Sequence, residues 1–358
     1  MFVGIKIGDC LKEIKWKYYY RYKPIFDEDV EGKYTFIQRC LLFLKITKVN
    51  LFGDYLTPNL LKDKVEMSPD MISNIILKTL SSDKPCMVAR FGANEQRITA
   101  NYISIKRGRK QLVRALCGHQ PFWWWDKQVR REFTTIAGFF PDEDSFLRRY
   151  SERMINDTKS LDVLLCWFGW ESLLIDADSG RISLVGLQEA EPWWQNVPWT
   201  KFLEGKRVLV VHPYAELIQR QYMNREKLFA NKLILPNFEL KTLKAVQSIG
   251  GKVDGYENWF EALKWMENEM DKVDYDVALI GCGAYGFCLA AHAKRSGKKA
   301  VHLGGALQLL FGIKGNRWED ESYHPVFNYN NLFNEFWVKP DSSYRPDNAE
   351  QFEGACYW

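Results

Sequence analysis

Three glycines, Gly281, Gly283 and Gly286, stand in GxGxxG spacing directly after the apolar run Val277–Ile280. Without Cβ atoms, their backbone N–H groups can approach an anion at the start of the helix expected over residues 287–295, so the spacing points to a phosphate. A second pair, Gly304 and Gly305, follows His302 at the end of the next apolar run, with Lys314 and Arg317 just beyond. The dinucleotide reading of GxGxxG wants an acidic residue at the end of that second strand, to hold the ribose hydroxyls. His302 and its glycines stand there instead, so a nucleoside diphosphate is a better expectation than a nicotinamide cofactor. Glycines serving only tight helix–sheet packing are the competing explanation.

Other residues could do chemistry with such a ligand. The run at residues 86–89 ends in Arg90-Phe91-Gly92-Ala93-Asn94-Glu95. Helical spacing puts Glu95 on one face with Ile98 and Tyr102, on the inward side of a first turn. A carboxylate there suits a metal ion; equally, it can complement the helix N-terminus, worth about 0.3–1 kcal/mol. His212, at the end of the run over residues 207–211, can face phosphate or sugar or serve as a hydrogen-bonded structural histidine. Glu189 and Glu191, in Gln188-Glu189-Ala190-Glu191-Pro192-Trp193-Trp194, are candidates for a base or an acceptor-binding group.

The elements that must position these residues read as strands over 86–89, 162–168, 182–187, 207–211, 233–235, 240–246, 277–280 and 299–303. Helical patterns begin at Met67, after Gly92, and over 214–229, 259–270 and 287–295. Short aliphatic runs alternating with helices predict an α/β chain with a Rossmann-like, mostly parallel sheet flanked by helices. The aromatic stretch 106–160, with Trp123, Trp124 and Trp125, is expected to be core. No internal repeat or low-complexity linker appears, so one domain over residues 65–358 is expected behind a basic, aromatic arm over residues 1–64.

Composition narrows the class. With 26% charged and 46% hydrophobic residues in 358, the chain has a globular balance. Its net charge of +4 comes from residues 1–50, which hold ten Lys/Arg against six Asp/Glu; the remainder carries 39 of each. In the arm, Lys12, Lys15, Lys17, Arg21 and Lys23 alternate with Trp16, Tyr18, Tyr19, Tyr20 and Tyr22, a mixture that an anionic membrane surface attracts. A solvated arm, or one packed on the main domain, is the alternative; nucleic acid is not an expected partner. Eight cysteines with no CxxC pair read as free thiols in a reducing cytoplasm, and zinc is not expected. No apolar run is long enough to span a bilayer, so the expected place is the cytoplasm, with peripheral contact on the inner face of the plasma membrane. The closing Cys356-Tyr357-Trp358 is expected to tuck against the domain.

Taken together, Arg90-Phe91-Gly92-x-x-Glu95, the segment from Gly205 to Pro213, the unit from Asp276 to Trp318 and the Cys356-Tyr357-Trp358 end resemble a bacterial family of GT-D-fold glycosyltransferases. The resemblance spans roughly residues 65–358. It implies a hexosyltransferase-type enzyme that moves a sugar from a nucleoside-diphosphate sugar, a UDP-sugar first, to a glycan acceptor, lipid-linked or not, during surface polysaccharide or glycoconjugate assembly, capsule included. For such a reaction the residues expected to bind the donor are Arg90, Gly92, Gly281, Gly283, Gly286, His302, Gly304, Gly305, Lys314 and Arg317, and an acceptor proton would fall to Glu95, Glu191 or His212. The family's Asp-x-Glu motif, associated with nucleotide-sugar and Mn²⁺ or Mg²⁺ binding, falls on Ala93 and Glu95: the Glu is kept as the metal candidate and the Asp is absent. Two other readings stay open, an NAD(P)-dependent oxidoreductase and a non-catalytic nucleotide-sugar-binding subunit.

Overall fold

Aliphatic runs too short for helices, and apolar on both faces, leave one solution: a sheet covered by helices on either side. The computed structural model, which describes residues 34–52, 59–167, 169–248, 255–344 and Tyr357, has this form. The arm residues from Lys12 to Lys23, and Cys356 and Trp358, lie outside the described residues. The strands are β1 (Cys86–Ala89), β2 (Val163–Cys166), β3 (Ser183–Gly186), β4 (Arg207–His212), β5 (Glu239–Lys244), β6 (Val277–Ile280) and β7 (Lys299–His302). They form one seven-stranded sheet in the order β3-β2-β1-β7-β6-β4-β5. Every pairing is parallel, with Cys86 beside Lys299 at the β1–β7 seam and Val277 beside Lys299 at the next.

Among the described residues, the helices of eight or more residues are α1 (Phe36–Phe52), α2 (Pro69–Ser81), α3 (Ala93–Arg107), α4 (Lys127–Thr135), α5 (Asp144–Asp157), α6 (Ala215–Tyr222), α7 (Trp259–Asp271) and α8 (Gly286–Arg295). Alternate strand residues feed two cores. Met87, Ala89, Ala278 and Ile280 face α3, α5, α7 and α8, while Cys86, Val88, Val277 and Leu279 face α2, α6 and the helical turn Leu307–Leu310. The stretch 106–160 supplies α4 and α5, and its Phe133, Phe139 and Tyr150 are buried as expected, while Trp123, Trp124 and Trp125 are half-buried. Asn258 caps α7 by accepting from the N–H groups of Phe260 (3.1 Å) and Glu261 (3.2 Å), and Asp126 caps α4 in the same way.

Two expected elements differ. Residues 233–235 form no strand. The Ile234 N–H turns back to Asn231 O (3.2 Å), Pro236 has no N–H to give a ladder, and the place beside β4 is taken by β5. Ile234 and Leu235 are buried all the same, which is why the run reads as a strand. The helix expected over 214–229 ends at Tyr222 and resumes as the short turn Arg225–Leu228. Side chains fasten that break: the Gln221 amide donates to Gly312 O (3.2 Å) and Phe336 O (3.0 Å), and the Tyr222 hydroxyl donates to Phe238 O (2.8 Å).

Candidate functional site

In a parallel sheet all strands end on the same side, and ligands bind in the crevice where successive crossovers part to opposite faces. Here the chain leaves β1 into α3 on one face and leaves the neighbouring β7 toward Leu307–Leu310 on the other. A cleft of about 210 Å³ opens at that point. Each strand delivers a residue to it: Arg90 after β1, Trp167 after β2, Leu187 after β3, His212 from β4, Gln247 beyond β5, Gly281 after β6 and His302 from β7.

Arg90 is the main cationic feature of the cleft. Its guanidinium lies 4.3 Å from the centre of the Trp167 ring, and its Nε donates to Phe91 O (3.1 Å). Trp167 is itself held by an Nε1–H bond to the same carbonyl (2.9 Å). No carboxylate pairs with Arg90 among the described residues, so both its terminal nitrogens are left for an anion. The other side of the guanidinium rests on Gly304, whose φ of +65° calls for glycine; a Cβ there would stand 3.1 Å from Arg90 Nη1. Gly305 is covered by the ring of Tyr357, whose hydroxyl accepts from Arg317 Nη1 (3.1 Å) and whose carbonyl accepts from Gln308 (3.3 Å). The C-terminal Tyr thus does tuck against the domain, at the cleft.

The two histidines differ in tautomer, and their hydrogen bonds fix which is which. His212 Nδ1 accepts from the Tyr214 N–H (3.0 Å), so its proton sits on Nε2. His302 Nδ1 donates to Ile280 O (3.0 Å), so its Nε2 keeps the lone pair. Burial lowers His212 to about 3. Burial, with the nearby Arg90 charge adding to it, lowers His302 to about 4 against the bond to Ile280. Both rings are neutral at ordinary pH. His212 therefore has no free lone pair, which corrects its expected role as a base: in this tautomer it can only donate. Cys282 also lines the cleft, and burial pushes its thiol well up, away from nucleophilic use.

Glu95 is at the cleft wall, 8% exposed, on the first turn of α3. Its carboxylate folds back over Gly92, so that a methyl on Gly92 would run into it. It is the single carboxylate among the described residues lining the cleft, and Ala93 lines it too, with a methyl where the resemblance wants Asp. No group of three or more His, Cys, Asp and Glu side chains stands together among the described residues as a metal cage. The donor set does fit a Mg²⁺-like ion held by one carboxylate, substrate phosphate oxygens and water.

Four expected site residues stand elsewhere. Gly286 does not line the cleft; it lies under the His302 ring, so the third glycine of the motif serves packing. Lys314 turns to Glu319 (3.2 Å). Glu191 is 4% exposed, and its Oε2 accepts from Trp193 Nε1 (3.1 Å), Trp194 Nε1 (3.1 Å) and the Tyr329 hydroxyl (2.7 Å). Burial pushes Glu191 up to about 8 against those three donors. That carboxyl ties the loop after β3 to the C-terminal segment rather than facing a ligand. Glu189 lies over Gly186, likewise outside the cleft. Trp167, Gln188, Gln247 and Tyr323 line the cleft without having been singled out as ligand-binding in the sequence; for Trp167 the signal was its place at the end of an apolar run.

No family model, curated protein or solved structure matches the chain.

Proposed function

We propose that this chain is a glycosyltransferase that takes its sugar from a nucleoside-diphosphate donor bound in the cleft. The observation that carries the reading is Arg90: a guanidinium stacked on Trp167, without a carboxylate partner among the described residues, pressed against the Gly304 turn in a cleft that Gly281 and Gly283 also line, at the carboxyl end of a parallel sheet. Such a place suits the charge of a diphosphate, and above all the growing charge of a departing one. The glycine turns let the backbone come close, and Arg317, which lines the same cleft against the Tyr357 ring, would help neutralise the same group.

The acceptor hydroxyl must lose a proton as it attacks. Glu95 and the lone pair on His302 Nε2 are the groups in this cleft able to take it. His212, donating from Nε2, would hold a sugar or phosphate oxygen in place. If a divalent cation takes part, Glu95 would hold it together with the donor's phosphate oxygens, and it would supply charge neutralisation to the leaving group. A glycan, lipid-linked or free, is the acceptor class proposed here. Where an NAD(P) site wants an acidic residue, at the end of β7, this chain has His302 turned onto Gly286, which disfavours the oxidoreductase reading.

The test is a calorimetric and thermal-shift panel of nucleoside diphosphates, their sugars and NAD(P)H, with and without Mg²⁺ or Mn²⁺, on the wild type and Glu95→Ala. A ligand of the folded state raises stability by about 2.7 kcal/mol at a hundredfold excess over its Kd. A shift with one sugar nucleotide, followed by transfer to a glycan, is the expected result. A shift with NAD(P)H alone would overturn the reading. Tight sugar-nucleotide binding with neither transfer nor hydrolysis would leave a binding subunit in its place.

A further inference from the structure

The strand order fixes which cleft residue stands beside which. Leu187 and Gln188 follow β3 at one end of the sheet, Trp167 and Arg90 follow the next two strands, and His212 and Gln247 belong to β4 and β5 at the other end. Backbone bonds carry the outer pairings up to the cleft: the Leu187 N–H donates to Cys166 O (3.0 Å) between β3 and β2, and the Ala245 N–H donates to His212 O (3.2 Å) between β5 and β4. With neighbouring strands about 4.8 Å apart, the strand bearing Arg90 lies roughly 10 Å from β3 and roughly 20 Å from β5.

The two ends differ in chemistry. At the β3 end Leu187 is buried, the Trp167 ring is half-buried, and the half-buried Tyr323 ring comes in from the C-terminal segment. A neighbour places Tyr323 there: its ring centre is 5.5 Å from that of Tyr329, whose hydroxyl donates to Glu191 on the loop after β3 (2.7 Å). Beside these apolar walls the half-buried Gln188 side chain makes no hydrogen bond among the described residues, so its amide keeps both donor and acceptor for a ligand. The β4–β5 end offers His212, which donates from Nε2, and Gln247, whose amide is likewise unengaged among the described residues. Tyr214 lines that end too, but its ring is buried against His212 and Tyr344.

A nucleoside-diphosphate sugar has a matching asymmetry: a flat base with a hydrogen-bonding edge on one side of the phosphates, and a ring of hydroxyls on the other. Resting on the donor reading above, we propose that the donor lies along the sheet edge with its phosphates at Arg90, its base at the β3 end flanked by Trp167, Leu187 and Tyr323 and read by the Gln188 amide, and its sugar turned toward His212 and Gln247. The spacing from Arg90 to β3 leaves room for the ribose that joins base to phosphate. An amide presents a donor and an acceptor side by side, so it selects a base carrying the complementary pair, while the apolar walls cover the base faces and keep water from that pairing. The reverse orientation would set sugar hydroxyls against Leu187 and the aromatic rings, with Gln188 as their polar partner there, and a base face against polar groups.

The experiment is titration calorimetry of the full chain, in Mg²⁺, with inorganic pyrophosphate and with the diphosphates of adenosine, guanosine, cytidine, uridine and thymidine. The wild type is compared with Gln188→Ala, Tyr323→Leu and Gln247→Ala, each checked by urea unfolding. The expected result is that one or more nucleoside diphosphates bind the wild type about tenfold or more tightly than pyrophosphate. Gln188→Ala should lose about tenfold of that affinity together with the preference among bases, Tyr323→Leu should lose about tenfold, and both should bind pyrophosphate as the wild type does. Nucleoside diphosphates that bind no tighter than pyrophosphate, or a base preference that Gln188→Ala and Tyr323→Leu leave untouched or that Gln247→Ala removes, would overturn the orientation and leave the donor reading standing. A wild type that binds neither pyrophosphate nor any nucleoside diphosphate would overturn both.

Discussion

Glu191→Gln should change how stability depends on pH, and the direction follows from where the side chain sits. The carboxyl is buried and raised to about 8, while in the unfolded chain it titrates near 4.5. Below the unfolded value both states hold the proton, and the group does not alter stability with pH. Between the two values the unfolded chain gives up a proton that the folded protein keeps, so stability falls by roughly 1 kcal/mol per pH unit and by several kcal/mol in all by about pH 8. Glutamine removes the titration and keeps a carbonyl oxygen for Trp193, Trp194 and Tyr329. Urea unfolding of both proteins at intervals from about pH 5 to pH 8 gives the difference directly. His212 and His302 are common to both proteins; their lowered values cost stability only as pH falls below the ordinary histidine range, and they cancel in the comparison. The variant should match the wild type within about 1 kcal/mol at pH 5 and exceed it increasingly toward pH 8. A flat difference, or a wild type that gains on the variant as pH rises, would show that the three donors hold the carboxylate charged and would refute the reasoning.

Arg90→Ala should weaken binding of a nucleoside diphosphate by roughly tenfold to a hundredfold, the range of one or two lost charge-assisted hydrogen bonds, and Arg90→Lys should recover only part of it; titration calorimetry reads both. Gly286→Ala drives a methyl into the buried His302 ring, and the overpacking should cost about 1–3 kcal/mol in urea unfolding, accompanied by a changed His302 NMR signal. Asn258→Ala removes the cap of α7 and should lower stability by about 1 kcal/mol, read by urea unfolding.

The strands were legible because burial on both faces leaves an aliphatic run with little else to be, and the chain order of helices and strands then dictated a parallel sheet. The run around Ile234 misled for the same reason: it is as apolar as a strand, its Ile234 and Leu235 are buried, and the turn to Asn231, Pro236 and the placement of β5 beside β4 decide against it. At the site, position along the chain was a good guide and direction was not. Arg90, Glu95, His302 and the glycine turns at 281–283 and 304–305 reach the cleft because they follow strand ends. Glu191 and Lys314 follow apolar or glycine-rich segments as well, yet one turns into a nest of indole N–H groups and the other to Glu319. Likewise, two histidines that look equivalent in sequence differ in tautomer, since the carbonyl of Ile280 and the N–H of Tyr214 meet them only in the fold.

The seam between β1 and β7 bears on how the protein is made. During synthesis β1, β2 and β3 emerge first and pair with one another, but the open flank of β1 waits for a strand encoded roughly 200 residues later, some 10–40 s at a ribosome's pace. Until then that flank offers unpaired backbone groups and an apolar surface to any passing strand. The cleft straddles the same seam, with Arg90 on the early side and His302 and Gly304 on the late one. A nascent chain therefore lacks the completed cleft: a ligand bound there would reward only the finished sheet, by holding together two strands that meet late.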